Sequence, residues 1–168
     1  PSGWIFDIGM EGGTFISFIE FVGNGTRSWS QPYDFDLNTW YHVAVARSGN
    51  VMKFFINGDR IGGDKDCNGY VIKPLSGHPL RFGNYESSPN FFSGFVDEPR
   101  IWDYGRTDEE IQDNMNSSLT GAEEGLIAHW NFDEGSGNTF RDLTNNGHDG
   151  FIGSVSGEEN APIWVVSD

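Results

Sequence analysis

The sequence predicts an all-β sandwich with many tight turns and one short helix. Glycine is abundant (23 residues) and aromatic side chains make up 15% of the chain, a balance that suits short strands linked by turns. Strand-like runs with period-two alternation recur between Gly, Asn and Asp clusters. Only one stretch carries a helical stripe, Ile111, Met115 and Leu119 at four-residue spacing.

The elements follow in order. Residues 4–8 and 15–22 read as strands joined by a turn at 10–13. In the second, Phe15, Ser17, Ile19 and Phe21 alternate with Ile16, Phe18, Glu20 and Val22, so both faces are largely apolar and an inner position follows. Asn24-Gly25 turns the chain into 26–30, a polar strand suited to an edge. Residues 37–47 read as a strand in which Tyr41, Val43 and Val45 alternate with His42, Ala44 and Ala46. A loop at 48–50 returns the chain through 51–56, and Asn57-Gly58 closes a second hairpin because both residues tolerate positive φ. Residues 59–63 continue as a strand, 64–69 as a polar loop, and 70–72 and 79–85 as further strands before an exposed loop at 86–90.

The chain is organised around residues 92–119. Phe95, Ile101 and Trp102 mark a strand over 94–102, where Pro99 demands an edge, a bulge or an end of the ladder. A helix is predicted over 107–119. Thr107 caps it, Glu110 completes a capping box, acids fill the first turn, and Gly121 stops it. Residues 125–166 then supply two or three strands' worth of apolar side chains.

At 168 residues the chain reads as one domain, 1–168, with a core of its own. A net charge of −15 argues against nucleic acid and anionic membrane surfaces as partners. Cys67 stands alone, so no internal disulfide forms, while a bridge to another chain stays open. No run reaches membrane-spanning length, so no membrane insertion is expected. No signal peptide opens the sequence, and Pro1 to Trp4 read as the interior of a longer chain.

Several phrases together resemble the laminin-G-like domains of the concanavalin A-like lectin/glucanase superfamily, which are jelly-roll sandwiches related to pentraxins. They are Leu37-Asn-Thr-Trp-Tyr-His-Val-Ala-Val45, Lys53-Phe-Phe-Ile-Asn-Gly58, Pro79-Leu-Arg-Phe-Gly83, Phe95-Val-Asp-Glu-Pro-Arg-Ile-Trp102 and Arg106-Thr-Asp-Glu-Glu-Ile111. Gly125-Leu-Ile-Ala-His-Trp-Asn-Phe-Asp-Glu-Gly135 and Asp142 to Gly150 continue the likeness. The resemblance implies one or two further strands ahead of Trp4. Either the chain is a fragment, or residues 125–168 complete the sandwich, or a neighbouring copy donates the missing edge.

Enzymatic activity is not expected. Retaining glycoside hydrolysis needs two carboxylates converging on one sugar, and the comparable pair, Asp97 and Glu98, would point to opposite faces of a strand. Those acids are expected to pair with Arg100 or with loop backbone. His42, His78, His129 and His148 have no nucleophile nearby in sequence.

Metal binding is the next candidate. Asp142, Asn145 and Asp149, with Asp133 before them, place oxygen ligands in a glycine-containing loop as calcium would require, against the alternative that Asn and Asp serve turn geometry. Aromatic platforms for sugar are offered by Trp29, Tyr33, Trp40, Tyr85, Phe91, Tyr104 and Trp164. Tyr85 and Phe91, flanking the 86–90 loop, are the chosen ligand-binding pair. Asn24 and Asn116 stand in N-glycosylation triplets. The expected function is an extracellular, cell-surface recognition or adhesion module that binds glycan or a surface protein. The alternatives are a subunit of a strand-sharing filament built from copies of the chain, and an accessory domain of a glycosidase.

Overall fold

The computed structural model describes residues 3–9, 15–22, 25–69, 79–83, 92–153 and 162–165. Their contacts gather into two compact units, one of Pro1–Phe91 with Tyr104–Ser117 and one of Phe92–Asp103 with Ser118–Asp168.

The first unit holds two antiparallel three-stranded sheets. Strands β1 (Gly3–Gly9), β2 (Phe15–Val22) and β3 (Gly25–Pro32) form one in that order, so β2 takes the inner position its two apolar faces predict. Strands β4 (Val43–Ser48), β5 (Val51–Ile56) and β6 (Asp59–Asp66) form the other. The β5–β6 hairpin turns on Asn57 (φ 51°) and Gly58 (φ 79°), the pair of left-handed residues that a type I′ turn needs.

Strand β5 organises this unit because side chains alternate across a strand. Met52, Phe54 and Ile56 face one way and join Ile16 and Phe18 of β2, with Cys67, in one buried cluster. Phe55 faces the other way and is buried with Ala46 and Ile111. Helix α1 (Asp108–Asn114) supplies Ile111, so a single strand serves two cores. The Thr107 capping box forms as expected, with the Thr107 hydroxyl accepting from Glu110 N and the Glu110 carboxylate accepting from Thr107 N.

Helix α1 stops at Asn114, short of the predicted 119, so Leu119 is not helical. Asn114 Nδ2 donates back to Glu110 O and Ser117 Oγ to Asp113 O, and such local bonds compete with helix propagation. The strand expected over 37–47 begins only at Val43, because Asn38 takes a left-handed conformation (φ 57°) and turns the chain. Strand β6 runs on to Asp66 through a register shift opposite Met52 and Phe54, with Gly62 at φ 65°, so the loop expected from 64 starts later. Residues 79–83 are not a strand, and the strand expected at 70–72 lies outside the described residues.

The second unit is built from short pieces: β7 (Arg100–Trp102), β8 (Leu126–His129), β9 (Thr139–Phe140) and β10 (Gly150–Phe151). Strand β7 pairs with β8, and β9 with β10, both antiparallel. The strand expected over 94–102 is cut to three residues, since Glu98 is left-handed (φ 53°) and Pro99 follows. Among the described residues of this unit, Leu126, Ala128 and Trp130 are the buried apolar ones.

Candidate functional site

In the second unit the two most recognisable phrases of the sequence meet. Arg100 pairs with His129 across β7–β8, Trp130 N donates to Pro99 O, and the Glu98 carboxylate lies 2.7 Å from His129 Nε2 and 2.8 Å from Arg100 Nη2. His129 is 1% exposed. Burial raises the Glu98 carboxyl, but the bonds from Arg100 and His129 outweigh it and hold the group below the usual carboxylate range. Asp97 goes the other way. Burial raises it, its bond from Glu98 N lowers it, and the like charges of Glu98 and Asp133 add to the rise.

The expectation that Asp97 and Glu98 lie on opposite faces of a strand is corrected here, because neither residue is in a strand. They occupy a turn in which Asp97 Oδ1 accepts from Glu98 N. The expected partner, Arg100, is the one observed. Glu98 is therefore engaged by two cationic or imidazole side chains, and Asp97 by backbone.

The loop proposed for calcium is held by its own hydrogen bonds. Asp142, 6% exposed, accepts from His129 N, Thr144 N and Thr144 Oγ1 at one oxygen and from His148 N at the other. Burial raises its carboxyl, and these donors outweigh that and lower it. Asp149 Oδ1 accepts from Asp142 N, Asp133 Oδ2 accepts from Asn131, and Asn145 is an exposed left-handed turn residue (φ 61°). Among the described residues no three His, Cys, Asp or Glu side chains gather as a cation site requires. Both Asp142 oxygens face N–H or O–H donors, the bonding that turn geometry uses.

Two other surfaces belong to the first unit. A cleft of about 560 Å³ is lined by Ser48, Lys53, Asp64, Arg106, Thr107 and Asp108, among others. Its two cations are paired within the unit, since Lys53 Nζ lies 2.5 Å from Asp108 Oδ1 and Arg106 Nε 3.4 Å from Glu110 Oε2. The second is the segment from Tyr33 to Tyr41. Its inward rings Tyr33, Phe35 and Tyr41 form a cluster with centroids 4.8–5.9 Å apart that packs on the main core. Outward stand Asp34, Asp36, Leu37, Asn38, Thr39 and Trp40, with Leu37 73% and Trp40 61% exposed. Tyr41 Oη ties the loop by accepting from Asp36 N, and Asn57 Oδ1 accepts from His42 N at its base.

Sequence reasoning placed Trp40 inside a strand and so gave it no special weight. The signal available was Asn38, a residue that tolerates the left-handed turn, between an Asp-x-Asp alternation and the apolar strand. Tyr85, Phe91 and Asn24 lie outside the described residues, and Asn116 is exposed.

Antiparallel sheets facing each other across a buried core, with one short helix behind, define a β-sandwich of the concanavalin A-like kind. A family profile described as the concanavalin A-like lectin/glucanases superfamily, of the laminin G type, matches residues 2–112, and the chain belongs to that family. A search of curated proteins finds no match. Among solved structures, the chain is similar to a candidate carbohydrate binding protein from Bacteroides ovatus ATCC 8483, at 21% identity and a TM-score of 0.67. That alignment covers 86% of this chain and 43% of the other. It is also similar to an S-layer domain-containing protein (residues 221–444) from Clostridium thermocellum ATCC 27405, at 20% identity and a TM-score of 0.42. There 67% of this chain and 61% of the other are covered, so the chain spans less than two thirds of either solved structure. At 21% identity the likeness to the Bacteroides ovatus protein speaks to fold alone.

Proposed function

We propose that the chain is a non-catalytic recognition module that acts outside the cell and binds glycan. Membership of the concanavalin A-like superfamily over residues 2–112 carries this reading. The Bacteroides ovatus neighbour, itself a candidate carbohydrate binding protein, supports it. A glycan screen with the 168-residue chain tests the proposal, with binding to at least one glycan class and no release of reducing sugar as the expected result. Failure to bind any glycan, or turnover of a bound one, overturns it.

A second reading, association between copies of the chain, is favoured by one observation. Phe95 is 63%, Phe151 73% and Ile163 79% exposed in the second unit. Light scattering of the isolated chain tests it: a monomer at all concentrations removes this reading and leaves the first intact.

A further inference from the structure

We infer that the cleft between the β4–β6 sheet and residues 105–109 is the sugar-binding site, and that its ligand class is a neutral oligosaccharide held through its hydroxyls. This deepens the glycan reading and rests on it.

The cleft follows from the strand register. Ala46 pairs with Lys53 and Ser48 with Val51 across β4–β5, so these four side chains share the sheet face that carries Phe55. Ile111 of the short helix covers that face at Phe55 and Ala46. Beyond it the face opens into the cleft of about 560 Å³, within the range of about 300–1,000 Å³ usual for ligand sites. Residues 105–109 form the other wall. A Cβ at Gly105 would fall 2.1 Å from Arg47 O, so glycine is what lets this segment run so close to β4. Every lining residue belongs to the first unit.

The charged groups of the cleft are paired before a ligand arrives, Lys53 with Asp108 and Asp64 with Arg60. Each pair leaves atoms over. Lys53 keeps two further N–H groups, and Asp108 and Asp64 each keep a second carboxylate oxygen. Thr107 Oγ1 accepts from Glu110 N, so its own hydrogen is left to donate. A sugar hydroxyl both donates and accepts, and it adds to such a pair without breaking it. A charged ligand would have to displace one partner and leave the other without its counter-ion. Side chains already ordered by their pairs also lose less entropy when the ligand settles. Ala46 and Val51 supply a small apolar floor for the C–H face of a ring.

The test uses the 168-residue chain and four probes: cello-, manno- and chito-oligosaccharides, and an oligogalacturonate. Affinities are read by calorimetry, and amide exchange with and without the probe locates the site. At least one of the first three is expected to bind and to slow exchange in β4, β5 and residues 105–111. Ser48→Phe fills the cleft from its exposed rim and should lose about tenfold or more in affinity at an unchanged melting temperature. Should that variant melt early, Glu109→Ala serves instead, with a loss of about threefold expected. If a neutral probe binds and the variant binds it equally well, or the slowed amides lie elsewhere, this inference falls while the glycan reading stands. Preference for the galacturonate also overturns it. If none of the three neutral probes binds, this inference falls, and the wider glycan screen alone decides the glycan reading.

Discussion

The two units are held together by different physics. In the first, β5 buries Phe54 (1% exposed) and Phe55 (0%) on opposite faces, so apolar burial on both sides of one strand carries the structure. Among the described residues of the second, the buried apolar side chains are few, and a polar network does the corresponding work. Asp142 accepts four hydrogen bonds, Glu98 joins Arg100 to His129, and Trp130 is anchored through His148 O. A hydrophobic core tolerates changes of pH and salt. A network of ionised acceptors depends on each carboxylate keeping its charge.

The sharpest way to break this contrast is Phe55→Ala, which opens a cavity where β5 meets Ile111. A cost of about 3–5 kcal/mol is expected in urea unfolding, with amide exchange accelerated throughout β4 and β5. A cost below about 1 kcal/mol would show that burial is not what holds the first unit.

Asp142→Ala leaves three backbone N–H groups and the Thr144 hydroxyl without their acceptor. A loss of about 2–3 kcal/mol is expected, confined to the amides of residues 126–150, with β4–β6 protection unchanged. Equal loosening of both units would merge what the contacts separate.

Thr107→Ala removes one half of the capping box and should cost about 1 kcal/mol, seen as faster exchange in the first turn of α1 alone.

Acid sharpens the comparison further. Glu123 caps the turn at Thr120 and Gly121, and its carboxyl is lowered to about 2, first by the Thr120 N bond. Glu98 and Asp142 are lowered as well. A carboxyl held below its unfolded value stabilises the fold above that value and loses the contribution as pH falls through the folded one. Raised Asp97 acts in the opposite sense. In the first unit Glu110 is lowered, by its bond from Thr107 N first. The second unit should therefore loosen first between about pH 4.5 and 2, as read by amide exchange. Glu123→Gln should flatten that limb, and an unchanged acid profile in the variant would remove Glu123 from the account.

The smallest expected effect is that of calcium. Because Asp142 already faces N–H and O–H donors, chelator or added calcium should leave the melting temperature where it is. A calcium-dependent rise would restore a cation to the 142–149 loop.

Local chemistry determined much of this protein from sequence alone. The Thr107 capping box, the Asn57-Gly58 turn, the alternation of Val43 and Val45 against Ala44 and Ala46, and the inner position of β2 need only neighbours a few residues apart. The pairing of Glu98 with Arg100 was legible for the same reason. Other features needed the tertiary structure. The bond between Glu98 and His129 joins residues 31 apart in sequence, and the hydrogen bonds that Asp142 accepts depend on where the backbones of His129 and His148 lie. Whether Trp40 is core or surface depends on a turn at Asn38 that ends one pattern before the next begins. Periodicity tells which residues share a face, and only the folded chain decides what that face meets.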